Sequence, residues 1–412
     1  MTGFARREGE LVCDGVPLRQ AAERFGTPLY VYSVSEITRS YRAYAQAFAD
    51  VPHRICYALK ANANGALLRL LAGLGAGADI VSGGELLAVL RAGFAPDRIV
   101  FSGVGKAQAE IEMGLIAGVG EFNAESELEI ERIGALAAAH GRVARVTLRV
   151  NPDIDPGSHP YVATGLRENK FGVAIGAAPE ILERARRTPG VSIVGVQSHI
   201  GSQITELGPL REAARALARL SRRLAAGGFP IDTLDIGGGL GVDYDGSGVP
   251  SPADLARAVI PEFAGLGLRL VLEPGRSLLA AAGVLLTRVL ELKAAGDRLF
   301  VVVDAGMNDL LRPALYGAHH RIEPVTESSR PVRRVDVVGP VCESGDFLAR
   351  DRELPTPGDG ELLAVRDVGA YGFVMASNYN LRPRPAEALA DSGCLRLIRR
   401  RETFEDLVRT EL

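Results

Sequence analysis

The chain has 412 residues, 47% of them hydrophobic and 24% charged, with a formal net charge of −3. That length exceeds one hydrophobic core and predicts two domains of an ordinary soluble protein. The charge balance gives no support for nucleic-acid binding, and the one dense basic run, Arg399-Arg400-Arg401, fits an exposed strand edge as well as a partner site.

The predicted elements begin with a helix, Leu18 to Phe25, then Gly26-Thr27-Pro28 and a strand, Leu29 to Tyr32. From residue 36 to 280 short Val/Ile-rich runs alternate with longer Ala/Leu-rich helical stretches. The predicted strands are Ile55–Lys60, Ala78–Ser82, Arg98–Ser102, Gly118–Asn123, Arg145–Val150, Ile193–His199, Thr233–Ile236 and Leu268–Glu273. Helices are predicted between them, among them Glu85–Ala92, Glu125–His140, Glu206–Ala226 and Pro252–Ala264. Eight such units describe a (β/α)8 TIM-like barrel over 36–280; a doubly wound sheet also fits the alternation, but no GxGxxG follows the first strand. After residue 281 short strands dominate: Val284–Lys293, Arg298–Asp304, Arg333–Val338, Glu361–Val365 and Cys394–Arg399. These predict a mostly antiparallel β-barrel or sandwich domain built from 281–412 together with 1–35.

Cys13, Cys56, Cys342 and Cys394 are scattered without a CxxC pair, which argues against a disulfide framework or a zinc site. Met1 to Asp14 lacks the apolar core of a signal peptide, and no apolar run reaches spanning length. A cytoplasmic protein that binds neither membrane nor nucleic acid is expected. His319-His320 resembles a metal-ligand pair, but adjacent histidines do not face one site on a regular element and no carboxylate cluster accompanies them, so no metal is expected.

A barrel carries its chemistry at the C-terminal ends of its strands. Those ends hold Lys60, Ser82, Ser102, Asn123, Arg149 to Asn151, His199, Gly237-Gly238-Gly239 and Glu273. Lys60 ends an apolar run, where desolvation favours a neutral amine able to form a Schiff base; a stem that packs while the head snorkels is the plainer reading. The glycine run after strand seven is either a turn or a phosphate cradle, with Gly275-Arg276 after strand eight as its other side and Ser202 as a further donor. Glu273 is a general base, a lysine partner, a ring-nitrogen counter-ion or a salt bridge to Arg276. A Schiff-base lysine, a phosphate cradle, a flat-ring neighbour in His199 and a carboxylate together describe pyridoxal 5'-phosphate.

With these residues in view, the sequence resembles the fold-type-III pyridoxal phosphate-dependent decarboxylases, and among them the diaminopimelate decarboxylase family. The resemblance runs from Asp14 to Arg396. It rests on Tyr57-Ala58-Leu59-Lys60-Ala61-Asn62, Ala78 to Glu85, Asn151-Pro152-Asp153, His159-Pro160-Tyr161 and Lys170-Phe171-Gly172. It continues through His199-Ile200-Gly201-Ser202-Gln203, the Gly237 run, Glu273-Pro274-Gly275-Arg276, Asp304 to Asp309, Arg312-Pro313 and Tyr316. Cys342-Glu343-Ser344-Gly345-Asp346, Gly369-Ala370-Tyr371-Gly372 and Ser377 to Asn380 with Arg382-Pro383 complete it. Small departures fall at Cys56, Leu59 and Asn169, away from the implied site residues.

The resemblance implies decarboxylation of meso-2,6-diaminopimelate to L-lysine and carbon dioxide. It implies that Lys60 forms the Schiff base, His199 stacks on the ring and Glu273 pairs with the pyridinium nitrogen. Gly237, Gly238, Gly239, Ser202, Gly275 and Arg276 would bind phosphate, with Tyr371 near it. Arg276, Arg312 and Tyr316 would grip the carboxylate that is kept. Cys342 would return the proton, and Glu343 would read the distal amine. In the family the Cys342–Glu343 loop serves a partner subunit, which implies at least a homodimer. Two arginines and a tyrosine suit a second carboxylate, since arginine binds that group bidentately. They argue against ornithine or arginine as substrate and less strongly against carboxynorspermidine. A non-catalytic relative is opposed by the presence of Lys60 and Cys342. A class I aldolase barrel would not explain the cysteine–glutamate pair in the β domain.

Overall fold

Runs such as Ile55-Cys56-Tyr57-Ala58 are apolar without alternation, so both strand faces must be covered. The chain achieves this by closing eight parallel strands into a barrel. In the computed structural model, which describes residues 3–157, 159, 164–165 and 169–411, the barrel strands are β1 (His53–Ala58), β2 (Gly77–Ile80), β3 (Ile99–Phe101) and β4 (Glu121–Ala124). They continue as β5 (Ala144–Asn151), β6 (Val191–Gln197), β7 (Thr233–Asp235) and β8 (Arg269–Leu272). Each strand pairs in parallel with the next, and β8 returns to β1 with Leu270 opposite His53. The fold is therefore α/β, with a TIM-like barrel and a separate β sheet. Of the motif His159-Pro160-Tyr161, Pro160 and Tyr161 lie outside the described residues.

Helix boundaries follow side-chain caps. The stretch predicted as Glu125–His140 is helical over Glu127–Ala139, because Ser126 is the N-cap and its hydroxyl accepts from the Glu129 amide. Ser82 caps Gly83–Ala92 in the same way. The predicted helix from Pro252 stops at Val259 and continues as a 3-10 turn, Ile260–Phe263, where Pro261 has no N–H to donate.

Several strands end earlier than predicted, while β4 and β5 each run one residue past the predicted end, to Ala124 and Asn151. β1 stops at Ala58, and Lys60 lies in a single 3-10 turn, Leu59–Ala61. That turn is closed by the Asn62 amide donating to Leu59 O at 2.9 Å, and the Tyr57 hydroxyl holds Asn62 O at 2.8 Å. Likewise β6 ends before His199 and β8 before Glu273. Lys60, His199 and Glu273 thus lie outside the ladder, where their backbone is free to bend.

Contacts divide the chain into a barrel unit, Tyr41–Val242 with Val249–Ser277, and a β unit, Met1–Ser40 with Asp243–Gly248 and Leu278–Leu412. In the β unit the long strand Gly283–Ala295 pairs antiparallel with Leu29–Ser33, Arg298–Val303 and Leu362–Val365. The early strand thus joins this sheet, and Ala386–Asp391 lies parallel to it. Strands Ile322–Pro324, Phe347–Pro355 and Ala386–Asp391 and the small N-terminal sheet Phe4–Arg7, Glu10–Cys13 and Val16–Pro17 had no counterpart among the predicted elements. Phe347–Pro355 explains why: four of its nine residues are charged, so its apolar face is not visible as alternation. Among the described residues no helix is long and apolar enough to cross a membrane.

Candidate active site

The glycine run after β7 is a tight cradle. Gly237 and Gly239 have φ of +65° and +114°, values that side chains disfavour. At Gly238 a Cβ would lie 2.3 Å from the carbonyl oxygen of Glu273, so this backbone passes directly against the β8 exit. The Gly237 amide donates to Asp235 Oδ1 at 2.7 Å, and the Gly238 amide donates to His199 Nδ1 at 3.2 Å. His199 therefore presents a lone pair at Nδ1. Burial, reinforced by Lys60 and Arg149, holds its pKa well below 6.5, so the ring is neutral. On the far side of the cradle, Arg276 Nε and Nη2 donate to Ser202 Oγ at 3.2 and 3.0 Å, which brings those two phosphate candidates together. Gly275 fits closely too, since a Cβ there would stand 3.1 Å from that of Ala61.

Glu273 is buried, and its oxygens accept from Asn123 Nδ2 and Gln197 Nε2, each at 3.2 Å. Burial raises its pKa, and the nearby Asp79 raises it further. Asp235 is raised by burial and then by Glu273. Three buried carboxylates thus line one end of the barrel. Lys60 faces them: its Nζ lies 3.1 Å from Asp79 Oδ2, with the lysine side chain 40% exposed and the aspartate side chain fully buried. Asp79 Oδ1, Asn123 Oδ1, Gln197 Oε1, Ser198 Oγ and Asp235 Oδ2 are buried without a hydrogen-bond partner. Such orphans are uncommon in a finished core, and here they cluster around the lysine and the cradle.

A second buried network braces the loops behind this site. Arg149 Nη1 donates to Glu125 Oε1 at 2.7 Å, and the Gly172 amide donates to Glu125 Oε2 at 2.6 Å. Arg149 also stacks on Phe171 at 4.6 Å and reaches the His199 carbonyl at 3.5 Å. Lys106, 3% exposed, donates to Gly103 O, Asn123 O and Glu129 Oε1, at 2.8, 2.7 and 3.0 Å. All three of its N–H bonds are thereby used.

The remaining predicted residues lie in the β unit. Arg312 is buried at the start of the helix Arg312–Tyr316, and Tyr316, half-buried, ends it. Tyr371 is half-buried with φ of 57°. Cys342 and Glu343 are exposed on a loop fixed at its base. There Asp346 accepts from the Val341 and Met307 amides, each at 2.6 Å, and Asn380 Oδ1 accepts from the Cys342 amide at 2.8 Å.

Residues 34–280 match the family model described as pyridoxal-dependent decarboxylase, pyridoxal binding domain. A diaminopimelate decarboxylase of Pseudomonas aeruginosa is 52% identical over 407 residues, covering 99% of this chain and 98% of its own. The enzyme of that name from Aquifex aeolicus is 48% identical, covering 98% and 96%. The chain belongs to the diaminopimelate decarboxylase family of pyridoxal-dependent decarboxylases. It is a carboxy-lyase with a pyridoxal phosphate cofactor. Among solved structures, diaminopimelate decarboxylase of Helicobacter pylori with L-lysine superposes with a TM-score of 0.93 at 43% identity, covering 96% of this chain and 99% of that one. The enzyme from M. jannaschii with L-lysine gives 0.95 at 40% identity, covering 100% and 99%.

The barrel residues fit the family's cofactor. A glycine cradle with an arginine–serine pair suits a phosphate, and a buried carboxylate suits a protonated ring nitrogen, whose positive charge would offset the cost of its burial. Several of the orphaned polar atoms belong to residues that contact Lys60 or Glu273. Asp79, Gln197, Asp235 and Glu125 carried no role in the sequence reading. One signal was available for Asp79, a carboxylate inside the four-residue apolar strand β2, where only a partner justifies its burial.

Proposed function

We propose that this protein removes carbon dioxide from meso-2,6-diaminopimelate and releases L-lysine. The observation that carries the substrate is Arg312. A guanidinium only 5% exposed, and braced on two sides, is a costly group that a decarboxylase of a simple diamine precursor would not require. The near full-length similarity to enzymes of that name supports the same substrate.

In this reading Lys60 would anchor the cofactor through its side-chain amine. Gly237, Gly238, Gly239, Ser202, Gly275 and Arg276 hold its phosphate, with Tyr371 beside it, and neutral His199 lies against its ring. When bound, the pyridoxal ring supplies the electron sink for the pair left as carbon dioxide departs. Glu273 would sustain that property as an ionised carboxylate that holds a proton at the ring nitrogen; the positive charge there would offset the burial that raises the Glu273 pKa. Arg276, Arg312 and Tyr316 hold the retained carboxylate, and Arg276 thereby serves two anionic groups. Cys342 returns a proton to carbon, and Glu343 accepts from the distal ammonium. Exposure of Cys342 and Glu343 in the single chain supports a homodimer in which each loop serves the other copy's site.

Carbon dioxide release from meso-diaminopimelate, ornithine, arginine and carboxynorspermidine tests the substrate. Release from meso-diaminopimelate far above the others is expected. Preference for any of the other three would overturn the reading.

A further inference from the structure

His319-His320, set aside as a metal pair, has a different use. Arg312 Nη1 lies 2.7 Å from His320 Nε2. A guanidinium has donors and no acceptor, so the N–H belongs to Arg312 and His320 Nε2 carries a lone pair. The other ring nitrogen, Nδ1, lies 2.8 Å from the carbonyl oxygen of Arg366, which only accepts. The proton must therefore be on Nδ1. Two partners that cannot exchange roles fix His320 as the neutral Nδ1–H tautomer, in a ring with no exposed surface. Tyr244 completes the bracket. Its ring meets His320 edge-on at 5.2 Å and lies 4.7 Å beneath the Arg312 guanidinium carbon. His319 is occupied separately, with Nδ1 donating to Tyr244 O at 3.0 Å and Nε2 accepting from Arg352.

The identity of the acceptor matters. An aspartate or glutamate at this place would orient Arg312 equally well, but its charge would satisfy the guanidinium and compete with any anionic ligand. A neutral imidazole orients the fork without adding a negative charge of its own. We propose that His320 is a positioning residue for substrate specificity: as a neutral acceptor it fixes the orientation of the Arg312 fork that meets the carboxylate the substrate retains. The inference rests on the reading of Arg312 as a carboxylate-binding residue.

Two substitutions separate the ring's two bonds. His320→Asn keeps a side-chain N–H near the Nδ1 position for Arg366 O and loses the acceptor facing Arg312. His320→Gln reaches the Nε2 position and restores a neutral acceptor there. Each variant, loaded with cofactor, is titrated with L-lysine and with 1,5-diaminopentane, the same skeleton without its carboxylate. The wild type is expected to prefer lysine. His320→Asn should lose on the order of tenfold in lysine affinity, the size of one hydrogen bond to a charged group, with diaminopentane unchanged. His320→Gln should recover most of the preference. An equal loss for both ligands, or an unchanged lysine affinity, would overturn the positioning role. Arg312→Leu serves as the control on the underlying reading. If it leaves the preference intact, the carboxylate assignment of Arg312 fails and this inference with it. If it abolishes the preference while His320→Asn retains it, only the role of His320 is refuted.

Discussion

Lys60 Nζ and Asp79 Oδ2 are 3.1 Å apart, and the aspartate side chain is wholly buried while the lysine is partly exposed. The aspartate also has one orphaned oxygen and two buried acidic neighbours, Glu273 and Asp235. A residue held under such conditions serves function at the expense of stability. Asp79→Asn is therefore expected to raise the melting temperature of the cofactor-free protein while weakening pyridoxal phosphate binding. A variant with lower melting temperature and undiminished binding would contradict this.

Glu273 offers a test of sign. Its pKa is raised above the ordinary 4.5, so the folded protein binds this proton more tightly than the unfolded chain. The resulting stability is present below 4.5 and is lost as pH rises through the higher folded value. Other buried carboxylates, Asp309 and Asp367 among them, act in the same direction, so the comparison must be with a variant. The melting temperature of the cofactor-free wild type should fall relative to that of Glu273→Gln as pH climbs from 4.5 into the neutral range. Parallel curves would show that Glu273 does not titrate in that window.

Lys106 is buried with all three N–H bonds used, and its partner Glu129 is buried as well. Removing one member of such a pair strands the other. Lys106→Met should lower the unfolding free energy by roughly 3–5 kcal/mol. The double variant Lys106→Met with Glu129→Leu should recover part of that loss in a denaturant titration.

Gly238 has no room for a side chain against Glu273 O. Gly238→Ala must displace the cradle backbone, and with it the Gly238 amide bonded to His199. Cofactor affinity, followed by absorbance on titration with pyridoxal phosphate, should fall by on the order of a hundredfold or more, as expected when a preorganised donor is misplaced. Unchanged affinity would remove the cradle from the phosphate site.

Cys342→Ala should retain the cofactor and turn over slowly, and so should Asp346→Ala, which releases the Val341 and Met307 amides that shape the same loop. Undiminished turnover in Cys342→Ala would end its role as acid. If the loop serves the other subunit, mixing inactive Lys60→Ala with slow Cys342→Ala under subunit exchange should raise activity in hybrid dimers above that of either variant. The absence of that rise in a verified hybrid would place Lys60 and Cys342 in the same chain's site.

The sequence by itself determined the barrel, because eight buried parallel strands cannot hide their continuous apolar runs or the helices between them. It also named Lys60, His199, Gly237 to Gly239 and Glu273 by their place at strand ends. It missed the charged strand Phe347–Pro355, where solvent-facing residues mask the alternation. Tertiary structure alone decided which partner each polar group takes. Glu273 meets Asn123 and Gln197, Arg276 meets Ser202, and Lys60 meets Asp79. It also gave His320, to which the sequence assigned no role, the place of acceptor for Arg312. Periodicity reports which face of an element is buried. The partner of a buried charge is chosen by distances of about 3 Å between residues far apart in the chain, and only the closed fold sets those.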